Sequence, residues 1–144
     1  MNIAIGCDHR GFKLKTSIIK IVQKLNHSII DLGCTNEDSV AYPDFASKVS
    51  QLVQSKNASL GILICASGNG MAITSNKFRN IRAAVCRSIE EVKLARAHND
   101  ANILCIGADF VPSDSIQIMI ETFFNTKFEG ERHLRRINKI PESN

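Results

Sequence analysis

Apolar residues are distributed along this chain in two rhythms. Short, nearly continuous apolar runs fall at residues 2–5, 28–32, 60–65, 82–85 and 103–106, each followed by polar or glycine-containing sequence. Continuous runs of this length predict strands covered on both faces, the habit of parallel sheets. Between them the apolar positions recur every three or four residues: Leu14, Ile18, Ile21, Val22 and Leu25; Phe45, Val49, Leu52 and Val53; Ile116, Met119, Ile120, Phe123 and Phe124. Each set shares one face of a helix. Residues 71–77 also suit a helix, and Ala97-His98-Asn99-Asp100 suits the end of one. Strand and helix therefore alternate. That pattern predicts a doubly wound, Rossmann-like α/β sandwich of three layers, with about five parallel strands, right-handed crossovers and helices on both faces. A ligand of such a sheet is expected beyond the strands' C-terminal ends. Residues 129–140 carry Arg132, His133, Arg135, Arg136 and Lys139 with few apolar neighbours, so they make a poor core helix and suit docking on a partner subunit instead.

Length and composition narrow the class. The 144 residues suit a single domain spanning 1–144, able to bury about two thirds of its unfolded surface. Hydrophobic residues make up 44% and charged residues 22%, ordinary for a folded soluble domain, and no apolar stretch reaches membrane-spanning length, so no membrane partner is expected. The chain starts directly on a strand-like pattern without the basic and apolar regions of a secretion leader, which predicts a cytoplasmic protein. Five cysteines at positions 7, 34, 65, 86 and 105 form an odd set without CxxC spacing, which argues against a disulfide framework and a zinc site. The formal charge of +4 is scattered among 14 acidic residues, with one tyrosine and no tryptophan, which suits a small anionic ligand and not a nucleic acid.

Candidate chemistry centres on the strand ending at Cys65. It opens into Ala66-Ser67-Gly68-Asn69-Gly70, whose glycines leave room for backbone N–H groups to face an anion, a setting that favours a thiolate. Cys65 could then act as nucleophile or base; the plainer alternative is a buried strand cysteine like Cys105. A cysteine-phosphatase loop would need arginine at position 71, where the chain has Met71. The lysine and hydroxyl ending of an ATP-binding loop is absent, and Gly6-Cys7-Asp8-His9-Arg10-Gly11 does not match a dinucleotide turn. That turn follows the first strand and is expected on the same rim as Cys65. Asp8 could orient sugar hydroxyls and His9 could meet a phosphate, or the turn is only a helix cap. His98, placed by the pattern on the same rim, is a candidate acid/base or a helix C-terminal residue.

With Gly6-Cys7-Asp8-His9, Tyr42-Pro43, Ile64-Cys65-Ala66-Ser67-Gly68-Asn69-Gly70, Asn76-Lys77-Phe78, His98-Asn99-Asp100 and Glu129-Gly130-Glu131-Arg132-His133 in this order, the chain resembles the type B ribose-5-phosphate isomerases. The wider family also includes allose 6-phosphate and galactose 6-phosphate isomerases. The resemblance implies reversible isomerisation of D-ribose 5-phosphate and D-ribulose 5-phosphate through an enediolate, in the non-oxidative pentose phosphate pathway. It implies Cys65 as the base, His98 as the group assisting ring opening, and Ser67 as a proton shuttle at the sugar oxygens. It further implies an anion-binding loop over Ala66, Ser67, Gly68, Asn69 and Gly70, sugar contacts from Asp8, Tyr42 and Asn99, and phosphate contacts from His9, Arg132 and Arg136. Neither a metal nor a cofactor is implied. Family sites are shared between subunits, which implies a homodimer or a dimer of dimers.

Two positions depart from the family pattern. Ala66 stands where glycine is usual, and Asp109 stands where many relatives carry a phosphate-binding arginine. Arg10 is the nearby residue expected to make up the missing positive charge. The alternatives are a hexose 6-phosphate isomerase and a noncatalytic sugar-phosphate-binding module.

Overall fold

The computed structural model, which describes residues 1–142, alternates strand and helix as the two rhythms predict. The elements are β1 (Asn2–Cys7), α1 (Phe12–Lys24), β2 (Ser28–Asp31), α2 (Tyr42–Gln54), β3 (Leu60–Cys65), α3 (Asn69–Ser75), β4 (Ala83–Val85), α4 (Ile89–Asn99), β5 (Ile103–Gly107), α5 (Ile116–Asn125) and α6 (Arg132–Ile137). Single 3-10 turns at His9–Gly11 and Ser113–Ser115 lead into α1 and α5.

All five strands are parallel, in the order β2-β1-β3-β5-β4. The chain moves outward from β1 to β2 and then crosses back to β3, so the winding reverses between β1 and β3. A parallel sheet opens a crevice at such a reversal, beyond the strands' C-terminal ends. Cys7 and Cys65 end the two strands that flank it.

Strand side chains alternate between two apolar layers. Ile3, Ile5, Cys7, Ile62 and Ile64 face α1, α4 and α5, where Ile18, Val22, Val92, Met119 and Phe123 close the larger layer. Ala4, Leu63, Cys65 and Cys105 face α2 and α3, where Val49, Val53 and Met71 close the smaller one. Ile62, Leu63 and Ile64 are wholly buried. Each such side chain contributes about 1.5–3 kcal/mol relative to exposure. That concentration of burial makes β3 the rigid base from which Cys65 projects.

β1 runs two residues beyond the predicted Ile5, because the backbone of Gly6 and Cys7 keeps pairing with Leu63 and Ile64 after the apolar run has stopped. Polar contacts fasten the periphery of the sheet in three places. Buried Lys15 of α1 reaches Asp31 at 2.8 and 2.9 Å and the Cys34 carbonyl at 2.7 Å, tying down the segment after β2. At the open edge of the sheet, the Asn76 side chain donates to the Ala83 carbonyl at 2.9 Å and accepts from the Ala83 N–H at 2.8 Å. Finally, the segment leading into α6 is tied to α4 of its own chain by the Glu129 N–H, which donates to the Ala97 carbonyl at 3.0 Å, and α6 packs on α4, while Leu134 and Ile140 stay exposed.

Candidate active site

Asp8, His9, Tyr42 and the loop of residues 66–70 gather with Cys65 at the C-terminal end of the sheet. Cys65, 5% exposed, is level with Gly107 of β5. Gly68 takes the left-handed conformation, φ 82°, which turns the chain sharply into α3 and aims the Gly68 N–H at the Cys65 sulfur, 3.1 Å away. A side chain would strain that backbone. The Ser67 hydroxyl oxygen accepts from the Asn69 N–H at 3.2 Å. The N–H groups of Ala108 and Asp109 donate to the carbonyls of Cys65 and Ala66 at 2.8 and 3.1 Å, clamping the loop to the end of β5. A Cβ at Gly70 would lie 2.6 Å from the Tyr42 ring, so the tyrosine at the start of α2 lies directly against the loop.

The turn after β1 completes this rim. The Asp8 N–H donates to the Ile64 carbonyl at 3.1 Å, and the Asp8 carboxylate accepts from the N–H groups of Arg10 and Gly11 at 3.0 and 3.3 Å. His9 Nδ1 accepts from the Val40 N–H at 3.2 Å, which leaves its other nitrogen to donate outward. Arg10 meets Asp109 at 2.6 Å, with 54% and 43% of the two side chains exposed. The positive charge expected of Arg10 is therefore already matched by the very aspartate it was expected to offset.

His98 and Asn99 lie elsewhere, and the expectation that His98 shares the Cys65 rim is corrected. Because β4 and β5 are parallel, α4 between them must run back toward the strands' N-terminal ends, and His98 and Asn99 form its last turn. The length of the sheet, on the order of 15 Å, separates that end from Cys65 within one chain. Arg132 and Arg136 lie at the same far end, exposed on α6. A cleft of about 610 Å³ lined by Arg82, Asn99, Ile137 and Ile140 opens beside them. The predicted parallel alternation already implies this far-end position, with which the rim expectation for His98 is inconsistent.

At this far end the fold assembles a cluster that sequence reasoning did not single out. The His98 and His133 rings stack with centroids 4.2 Å apart and planes 11° from parallel. Glu129 Oε2 lies 3.2 Å from His133 Nε2 and 3.8 Å from His98 Nε2. The Glu129-to-His133 spacing of one helical turn was the available signal. Burial holds the His133 imidazole below its usual titration range, with the neighbouring His98 and Arg132 charges adding to the effect and Glu129 opposing it. Ligand atoms of His98, Glu129 and His133 lie within 4.8 Å of one another, a set that could hold a metal. Two nearly parallel rings, however, aim their lone pairs along parallel lines, where a bound metal needs them to converge. Next along the chain, Asp100 pairs with Arg82 at 3.0 Å and Arg96 at 2.9 Å.

The other cysteines are packing residues with free thiols. Burial, then the bond from Cys34, pushes Cys7 up to about 12. Burial and then Glu91 push Cys86 up to about 12. Cys105 is raised by complete burial and then by Cys65 and Cys86. All three stay protonated near neutrality. Among the described residues no helix is long and apolar enough to cross a membrane.

The whole architecture has known counterparts. A family model described as Ribose/Galactose Isomerase matches residues 3–140. The ribose-5-phosphate isomerase B of Escherichia coli (strain K12) is 37% identical over 138 residues, covering 96% of this chain and 93% of that protein. Among solved structures, the ribose-5-phosphate isomerase B of Clostridium thermocellum superposes with a TM-score of 0.96 at 41% identity, covering 97% and 95% of the two chains. That of Mycoplasma genitalium, with bound ribulose-5-phosphate, gives 0.92 at 38% identity over 96% and 93%.

Proposed function

This chain belongs to the Ribose/Galactose Isomerase family, and from that premise we propose that residues 1–144 act as one domain that interconverts D-ribose 5-phosphate and D-ribulose 5-phosphate. The substrate is first opened: the C1–O4 bond of the furanose breaks, the O1 proton leaves, and a proton reaches O4, with His98 as the exchanging group. Cys65 as thiolate then takes the proton from C2 of the aldose, leaving an enediolate, and the proton returns at C1 to give the ketose. The charge that builds on oxygen faces the N–H groups of residues 67–70, and the Ser67 hydroxyl relays the proton between O1 and O2. Asp8, Tyr42 and Asn99 hold the sugar hydroxyls; His9, Arg132 and Arg136 hold the phosphate. No oxidation state changes overall, since one carbon is reduced as its neighbour is oxidised.

The single observation that carries this proposal is the division of the site between two ends of one chain. Cys65 and His98 lie too far apart to meet the same sugar within a monomer, and on this reading a second copy brings its far end to the Cys65 rim. A cytoplasmic homodimer, or a dimer of dimers, does this twice by symmetry. The exposed apolar side chains suit such a contact: Tyr42 and Ile73 lie near the rim, 40% and 65% exposed, and Leu134 and Ile140 at the far end, 47% and 55% exposed. Their burial favours association. The deciding experiment is an isomerase assay on ribose, allose and galactose phosphates in heavy water. Turnover of ribose 5-phosphate with deuterium entering at carbon is expected; higher efficiency on a hexose phosphate, or binding without exchange, would overturn the assignment.

A further inference from the structure

The far-end cluster holds one carboxylate to which the isomerisation, as assigned to Cys65, His98 and Ser67, gives no task. Glu129 is anchored by its own N–H on the Ala97 carbonyl at 3.0 Å, one residue before His98, so its side chain emerges beside the last turn of α4. Gly130 and Glu131 follow with φ of 72° and 49°, a tight turn that brings the chain back and seats His133 one turn after Glu129. His133 is 5% exposed and its Nε2 is closed off from solvent, so that ring is fixed by packing. His98 lies flat against it and is more open, 37% exposed, facing the Glu129 carboxylate at 3.8 Å.

We propose that Glu129 is a positioning residue for ring opening: its carboxylate, placed beside both His98 and His133, holds the His98 imidazole in its plane and takes no part in the proton transfer at carbon. The proposal rests on the assignment of ring opening to His98. Two imidazoles stacked face to face repel when both are protonated, and a single carboxylate beside both nitrogens compensates one proton between them. Arg132 on α6 adds to the repulsion, and the single Asp100 carboxylate between Arg82 and Arg96 offsets one of their two positive charges. Glu129 is thus the carboxylate that lies beside both rings, 3.8 Å from His98 Nε2 and 3.2 Å from His133 Nε2. An imidazole held in one plane with one proton to exchange can serve the ring oxygen and the O1 hydroxyl in turn. Once the ring is open, the carbon chemistry belongs to Cys65 at the other end of the sheet.

The two steps can be measured separately on the assembled protein, because ribose 5-phosphate is a cyclic hemiacetal and ribulose 5-phosphate can exchange its C1 hydrogen without closing a ring. For Glu129→Gln, turnover of ribose 5-phosphate is expected to fall at least about tenfold, while deuterium exchange into ribulose 5-phosphate at C1 stays within about twofold. Glu129→Asp, which restores the charge one methylene further back, should recover part of the aldose turnover. Equal loss of both rates, or loss of neither, would overturn the proposal, and so would an Asp variant no better than Gln. Should the unaltered protein neither isomerise nor exchange, the isomerase assignment itself fails, a result distinct from any of these.

Discussion

The two ends of the sheet are built on different principles. At the Cys65 end the geometry is held by backbone: the Gly68 N–H on sulfur, the Ala108 and Asp109 N–H groups on the loop carbonyls, and glycines where a neighbour comes too close for a Cβ. At the His98 end it is held by side chains, two imidazoles and a carboxylate in mutual contact. Backbone donors keep their charge at every pH, whereas a stacked pair of imidazoles depends on which proton is where. The first end suits stabilisation of a developing oxyanion, the second exchange of protons with a sugar ring.

Cys65→Ala should break the comparison most severely. Removing a positioned base typically costs about a hundredfold to ten-thousandfold in rate, so kcat should fall by that factor, with Tm nearly unchanged. Retained turnover would remove Cys65 from the mechanism. Next in size is a test of the division itself, by mixing inactive Cys65→Ala and His98→Asn chains. If each site takes Cys65 from one copy and His98 from another, random exchange of dimers should restore roughly a quarter of normal activity, because half the dimers are hybrids with one intact site. A mixture as inactive as its components would mean that each chain carries a whole site.

Smaller changes sharpen the contrast. Gly70→Ala puts a methyl group where the Tyr42 ring now lies, 2.6 Å from the new Cβ. Overpacking of this kind costs about 1–3 kcal/mol, and the half-exposed tyrosine places the effect at the low end. A lower Tm and a severalfold higher KM are expected; unchanged values would show that Tyr42 does not define the rim. Least is expected of Arg10→Ala, since an exposed ion pair contributes about 0–1 kcal/mol to stability. Because Asp109 already matches the guanidinium, KM for the phosphorylated sugar and kcat should both stay within about twofold, and a severalfold rise in KM would show that Arg10 reaches the phosphate.

Much of the fold was legible along the chain because its strands are buried on both faces and its helices on one. The boundaries that slipped have local causes. β1 outlasts its apolar run because pairing is a backbone property, and α3 starts at Asn69, two residues before the expected Met71, because the left-handed Gly68 completes the turn early. The Cys65 rim was legible for a related reason: a strand, a glycine loop and a helix start are consecutive in sequence, so their proximity is guaranteed by the chain. The far end was not. His98 and His133 are 35 residues apart (133 − 98), and their stacking depends on how α6 settles on α4, which no local pattern encodes. By contrast, the end at which His98 falls was implicit in the predicted parallel alternation, since a helix returning between parallel strands carries its last residues away from the sheet's ligand-binding end.

The open edge of the sheet governs how copies can assemble. By bonding both ways with Ala83, the Asn76 carboxamide plays the part of a neighbouring strand and occupies backbone groups to which another chain would otherwise zip. Strand addition at the β4 edge is thereby discouraged, and copies that meet on that side do so through helices and loops. If the catalytic halves find each other in trans as proposed, this capped edge favours a finite pair over a fibre.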